Sequence, residues 1–327
     1  MTIRRKSGEN RRIGPPLLPS VSLIGYGNWG TALEAALGKA HVPVREIILR
    51  HPDKRGHSTL AKAMCGHRTT LADAALDAEV FWICISDAAI RDASRELSRV
   101  LARGSHHRKQ PVVFHSSGAL SSAELTELQT GGASVASVHP LMTFPQRRRS
   151  SGAKIQSLAG VPFAIEGDAS ACRIARKLVR AMGGKPFAID PGNKVLYHAL
   201  GTFASPLLVA LLIATTEVGI AAGFTPKQAR QRMRPIVERT IANFFHNGPE
   251  KSFSGPIARG DTATIVRHLN ALRAHPQLQS LYWAFSDIAL ENFATKNRQQ
   301  IEQALAGSQD DRDKYSASRA GRRASTA

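Results

Sequence analysis

Val21-Ser-Leu-Ile24-Gly25-Tyr26-Gly27-Asn28-Trp29-Gly30, running on into residues 31–40, is the stretch that decides the fold. A short apolar run ends in G-x-G-x-x-G, and the residues that follow place apolar side chains on adjacent helical turns. A strand, a tight turn and a helix are therefore expected in immediate succession. In that setting Gly25 permits the turn, Gly27 lets a pyrophosphate approach the backbone, and Gly30 lets helix and strand pack closely. The helix N-terminus adds N–H groups and the positive end of its dipole. Tyr26, Asn28 and Trp29 complete the loop. A glycine-rich turn that binds nothing has the same spacing, but the strand–turn–helix context favours a dinucleotide.

Working outward, the same alternation continues. Strands are expected at residues 46–49, 80–85, 112–114, 134–138, 163–165 and 186–189, with a helix near 169–182. From Lys194 onward every pattern is helical, punctuated by Gly223-Phe-Thr-Pro226, Gly248-Pro249 and Gly255-Pro256. The fold class that follows is α/β, a Rossmann-type, mostly parallel sheet followed by an all-α C-terminal domain. The expected organisation is a disordered basic tail over 1–20, a dinucleotide-binding domain over 21–190, a helical substrate and dimerisation domain over 191–307, and a disordered tail over 308–327.

Composition narrows the partners. The chain has 327 residues, 43% hydrophobic and 21% charged, which excludes disorder throughout. Its net charge is +19, of which the two termini carry +4 and +2, leaving +13 on the body. Such a body attracts phosphorylated cofactors, small acids or polyanions. A nucleic-acid binder is the polyanion reading, but only 6% of residues are aromatic and no recognised nucleic-acid motif is present. Cys65, Cys84 and Cys172 lie far apart, with no metal or disulfide spacing, so no metal site and a reducing, cytoplasmic compartment are expected. Residues 199–216 lack charge and are long enough to span a membrane. Gly201, Ser205, Pro206, Thr215 and Thr216 within the run, and the absence of a flanking aromatic belt, favour a buried helix of a helical domain or dimer core.

The end of the second strand bears on the choice of dinucleotide. An NAD-preferring site usually places an acid there for the ribose 2′-OH. Here Arg50 occupies that position, followed by His51, Lys54 and Arg55; Asp53 falls beyond the strand in a proline turn. A guanidinium pairs with a 2′-phosphate, so NADP is expected. Ser86 and Asp87 close the apolar strand on the ligand-binding edge, where Asp87 touches the ribose or, more simply, caps the next helix.

Two further strands end in polar clusters on that edge: His115-Ser116-Ser117-Gly118 and His139-Pro-Leu-Met-Thr-Phe144. One of His115 and His139 is expected to face the ligand, with Ser116, Ser117 and Gly118 holding a substrate carboxylate. The helical part opens with Asp190-Pro-Gly-Asn-Lys194-Val-Leu-Tyr-His198. Lys194 and His198 are four apart, hence on one helical face. A lysine of lowered pKa in a crevice can protonate a carbonyl oxygen as hydride arrives. Asp261 is a natural helix N-cap, Arg259 is placed as a partner for an acidic substrate, and residues 147–149 (Arg-Arg-Arg) read as solvated.

These pieces resemble the superfamily of 6-phosphogluconate and 3-hydroxyisobutyrate dehydrogenases, ketopantoate reductase and pyrroline-5-carboxylate reductase. Within it the chain is similar to a bacterial oxidoreductase family that joins a Rossmann-like domain to a helical C-terminal domain of formerly unknown function. The residues carrying the closer likeness are His115-Ser-Ser-Gly118, His139-Pro-Leu-Met-Thr-Phe144, Glu166-Gly-Asp168, Tyr197-His198 and Gly255-Pro-x-x-Arg259-Gly-Asp261. The hydroxyacid dehydrogenases use Lys-x-x-x-Asn and a Ser-Gly-Gly substrate loop. This chain has Lys194-x-x-x-His198 and Ser116-Ser117-Gly118. The resemblance implies an NADP-dependent oxidoreductase acting on a carbonyl or imine carbon of a small acid, with Lys194 as general acid, His198 and His139 beside it, and a homodimer joined through the apolar helix. An NADP-binding sensor that catalyses nothing is the alternative.

Overall fold

The computed structural model describes residues 18–51, 66–103, 110–144 and 157–306. Lys54, Arg55 and Asp53, the arginines at 147–149, Cys65 and most of both basic termini lie outside the described residues.

The sheet is built from β1 (Val21–Ile24), β2 (Val44–Ile48), β3 (His67–Thr69), β4 (Val80–Ile83), β5 (Val112–His115), β6 (Ser134–Pro140), β7 (Pro162–Gly167) and β8 (Lys185–Ala188). Their order is β3-β2-β1-β4-β5-β6-β7-β8. The strands run parallel except where β6 meets β7, which pair antiparallel. The first half of the unit interleaves α1 (Asn28–Lys39), α2 (Asp87–Arg103), α3 (Thr126–Thr130) and α4 (Ala169–Ala181) with these strands. β4 shows why a parallel strand reads as an unbroken apolar run. Val80 and Trp82 enter one core, with Leu23, Leu33, Phe114 and Phe163. Phe81 and Ile83 enter the other, with Ile48, Ile90, Leu97 and Val113. Both faces of the sheet are covered at β4, so that strand is hydrophobic throughout.

The sheet differs from the sequence reading in detail. β4 stops at Ile83, with the Cys84 N–H still meeting the Ile24 carbonyl of β1 at 2.7 Å. The polar three-residue β3 carries no hydrophobic signal, and it forms because β2 offers a parallel edge through Glu46, Ile47 and Ile48.

After a 3-10 turn at Pro191–Asn193 the chain enters α5 (Lys194–Thr202), passes through a π-helical segment at Phe203–Leu207 that contains Pro206, and continues as α6 (Leu208–Ala221). Two compact units divide between Pro206 and Leu207, later than the strand-to-helix switch at 190–192. The reason is α5, whose first residue, Lys194, anchors into the sheet unit by hydrogen bonds to Ser117 and Ser137.

The second unit holds α6, α7 (Pro226–Asn247), α8 (Pro249–Ser252), α9 (Pro256–Arg259), α10 (Thr262–Leu272), α11 (Pro276–Asn292) and α12 (Arg298–Ala306). Its core gathers Ile265, Leu269, Trp283, Leu290, Ile301 and Leu305. Thr225 and Gln228 form a reciprocal capping box across Pro226, which starts α7. Asp261 caps α10 by accepting the Thr264 N–H at 3.1 Å.

The apolar helix departs from expectation. Over residues 191–221 it is long and apolar enough to cross a membrane, yet only 6% of its most apolar window is buried within the chain. Val195, Leu196, Phe203 and Ile213 are all exposed. It is not the enclosed central helix of its own domain, because the apolar core of the second unit is made by α10, α11 and α12 instead.

Candidate active site

β1 sits between β2 and β4, the point where strand order reverses and the loops leaving the sheet diverge. The loop after β1 is shaped by its three glycines. Gly25 has φ +95°, and a Cβ there would lie 2.4 Å from Ile85 Cγ2 and 2.7 Å from the Cys84 carbonyl oxygen. At Gly30 a Cβ would lie 2.7 Å from the Gly25 carbonyl oxygen. Gly27, by contrast, has nothing within 4 Å of such an atom. Two glycines therefore serve packing, and the third leaves open space at the start of α1. No side chain caps that helix and no acid occupies its first turn, so its N–H groups and dipole suit a phosphate. These features fit a dinucleotide pyrophosphate.

The other loop residues divide in the same way. Asn28 donates to the Phe144 carbonyl at 3.1 Å. Trp29 packs inward on Trp82, Phe144 and Phe163, so its indole serves the core. Tyr26 donates its hydroxyl to Glu34 and lies under the guanidinium of Arg68, 5.0 Å from its ring centre. Arg68 comes from β3, which is why the sequence reading missed it. Arg50 is exposed just past β2, at the position expected for a 2′-phosphate partner.

The loop after β5 is held together by its own side chains and by Asp87. His115 is fully buried. Its Nε2 pairs with the Ser121 carbonyl at 3.0 Å, and its Nδ1 accepts the Ser117 N–H at 3.1 Å. Burial pushes it down to about 4, so it is a neutral structural imidazole. Ser117 donates its hydroxyl to Asp87 at 2.7 Å and accepts from the Ala119 and Leu120 N–H groups. Ser116 accepts the Trp82 indole N–H at 2.7 Å. Both hydroxyls hold the loop. Asp87 opens α2 and fastens this loop to it, a different task from the expected helix cap. Neighbouring Ser86 is exposed.

Beneath the loop lies a buried ionic cluster. Lys194 is fully buried. Its Nζ donates to the Ser117 carbonyl at 3.1 Å and to Ser137 Oγ at 2.7 Å, and lies 4.0 Å from Glu166 Oε1. Glu166 accepts from the N–H and hydroxyl of Ser122. Burial lowers the Lys194 pKa, with Glu166 and Asp87 opposing. Asp190, accepting from the Gly192 N–H, and Pro191 start the turn that aims Lys194 inward. In this arrangement its ammonium faces protein acceptors on the sheet edge.

The imidazole that borders the outer side of the loop is His139. β5 and β6 are parallel, with His115 opposite Ser137, so His139 stands two residues beyond the end of β5. It is half-buried, and its Nδ1 lies 2.8 Å from the Tyr197 hydroxyl. A Cβ on Gly118 would come within 2.8 Å of His139 Nε2 and 2.6 Å of His198 Cδ2. Glycine is required there because two imidazoles close over it. Exposed His198 lies with its ring centre 6.2 Å from that of His139. Lys194 and His198 do share a helical stripe, and they grip the Ser117-Gly118 turn from below and above. Tyr197, Ser137 and Glu166 were not singled out as site residues. Ser137 in β6 and Glu166 in β7, polar side chains among buried apolar neighbours, were the local signals of the buried cluster. Arg259 ends α9 in the second unit.

Residues 161–288 match a family model described as Domain of unknown function (DUF2520). DUF2520 begins with β7 and runs through most of the helical unit, taking in Glu166, Lys194, Tyr197 and His198. No curated protein matches the chain. Solved structures resemble it closely in fold. A Thermotoga maritima protein is 21% identical with TM-score 0.63, covering 86% of this chain and 98% of that one. An imine reductase from Myxococcus stipitatus in complex with NADP+ is 16% identical with TM-score 0.60, covering 85% and 96%. A Plasmodium falciparum pyrroline carboxylate reductase with NADP bound is 10% identical with TM-score 0.51, covering 90% and 98%. These likenesses show the fold, a Rossmann-type sheet followed by helices.

Proposed function

We propose that this chain is an NADP-dependent oxidoreductase acting on the carbonyl or imine carbon of a small acid. The observation that carries the reading is the open space at Gly27, set at the switch point before an uncapped helix N-terminus. Gly25, Gly27 and Gly30 would hold the pyrophosphate through backbone N–H groups, and Arg50 would pair with the 2′-phosphate. Fold neighbours solved with NADP or NAD+ bound support a nicotinamide coenzyme, and the choice of NADP rests on Arg50. When bound, the reduced nicotinamide supplies a hydride. The residues around the Ser117-Gly118 turn orient the acceptor: His139 and His198 border it, and Lys194 fixes the turn from behind. In this reading Lys194, the general acid of the sequence expectation, holds the turn and the proton comes from elsewhere. Arg259 is proposed as a partner for an acidic substrate. The exposed apolar helix is proposed to pair with its equivalent in a second copy, as a cytoplasmic homodimer.

The test is consumption of NADPH by the purified chain across a panel of small oxo acids and cyclic imines. Turnover with one class, lost in Gly27→Ala, is the expected result. NADPH binding without turnover of any candidate would favour the non-catalytic sensor.

A further inference from the structure

We propose that the proton reaching the substrate comes from the neutral imidazole of His139, held in one tautomer by Tyr197, and that the group reduced is a carbonyl rather than an iminium. The source of hydride rests on the dinucleotide reading above; the proton path rests on geometry.

The Tyr197 hydroxyl lies 2.8 Å from His139 Nδ1, with the two rings edge-on at 88°. A phenol is a far stronger acid than a neutral imidazole N–H, and an imidazole nitrogen a far better acceptor than a phenol oxygen. The pair is therefore O–H donating to Nδ1, which leaves the imidazole proton on Nε2. Nε2 is the atom that lies over Gly118, and a side chain there would press on it. Glycine keeps that edge clear. Among the described residues, no hydrogen bond engages Nε2.

The surroundings keep the pair neutral. His139 is pushed down to about 3 by burial first and then by Lys194, His198 and His115, every one of which opposes a further positive charge. Tyr197 is pushed up to about 12 by burial and keeps its proton at working pH. Glu166 and Asp87 are committed elsewhere, to Lys194 and Ser122 in one case and to Ser117 in the other. An iminium brings a positive charge into a place that disfavours one, and it needs no proton to be reduced. A carbonyl enters neutral and builds negative charge on oxygen, which an N–H donor stabilises. The balance is complete. As the carbonyl carbon accepts hydride from the reduced dinucleotide, the C=O π pair moves to oxygen, oxygen takes the Nε2 proton, and Nδ1 takes the hydroxyl proton of Tyr197. His139 ends neutral in its other tautomer, and water reprotonates the phenolate. Tyr197 acts through His139 and is a positioning residue.

The experiment is nitrogen-15 NMR of the imidazoles in the full chain, with the His139 signals assigned by their loss in His139→Gln. The expected result is an Nε2-protonated, neutral ring at neutral pH in the wild type and a tautomer mixture in Tyr197→Phe. In turnover, Tyr197→Phe should lower kcat about 10- to 100-fold while changing KM less than about twofold, and oxo acids should be reduced in preference to cyclic imines. An Nδ1-protonated ring in the wild type, wild-type kcat in Tyr197→Phe, or preference for imines overturns the proposal. NADPH calorimetry on the same samples separates the two readings: absent binding removes the dinucleotide, whereas intact binding with the wrong tautomer removes only the proton path.

Discussion

A fully buried lysine must be matched by acceptors, and Lys194 meets Ser117, Ser137 and Glu166. Removing one member of such a cluster costs more than the cluster contributes, because the partner stays buried and uncompensated. Lys194→Met should therefore destabilise the chain by about 2–4 kcal/mol. Adding Glu166→Gln should recover about 1 kcal/mol or more of that loss in denaturant melts. A solvent-facing catalytic lysine would instead leave stability unchanged. His115 makes a second prediction. Its folded pKa of about 4 lies below the unfolded value near 6.5, so the unfolded state binds more protons between the two. Stability should fall as pH drops from about 6.5 to about 4 and level off below. His115→Gln should flatten that slope by about one proton. In sequence His115 and His139 look alike, each a histidine at a strand end. Only strand register and the approach of α5 make one a structural imidazole and leave the other beside Gly118, and neither is a local property of the chain.

At the scale of elements, the β1–α1 turn separates two uses of glycine. Gly25→Ala meets a positive φ and the Cys84 backbone, and should cost about 3 kcal/mol in thermal or denaturant unfolding. Gly27→Ala has ordinary dihedrals and open space, so its stability should stay within about 0.5 kcal/mol of wild type while dinucleotide binding is lost. Equal destabilisation by both would make the motif purely structural. This turn was legible in full because the spacing encodes its geometry. β1, β2 and β4 through β7 were legible because buried strands are written as largely apolar runs. β3 was not, since edge pairing alone forms it. The roles of Ser116, Ser117 and Asp87 were also hidden: a hydroxyl that closes a turn and one that binds a ligand read identically until its partners are known.

For the molecule as a whole, the unsolved surface is the helix over 191–221. Leu196 at 74%, Phe203 at 71% and Ile213 at 56% exposure present an apolar face that water disfavours. Sedimentation of the full chain should report a dimer, and Ile213→Lys should shift it to monomer with its fold retained by circular dichroism. A monomer at all concentrations would remove the paired-helix proposal. The excess of basic residues has its counterpart in the proposed dinucleotide site, where backbone N–H groups and Arg50 would meet phosphate. Calorimetric titration of the full chain with NADPH and NADH, beside Gly27→Ala and Arg50→Ala, tests that site most directly. One NADPH should bind per chain and more tightly than NADH, with binding abolished in Gly27→Ala and the preference erased in Arg50→Ala. No heat from either dinucleotide, or unchanged binding in Gly27→Ala, would contradict the account.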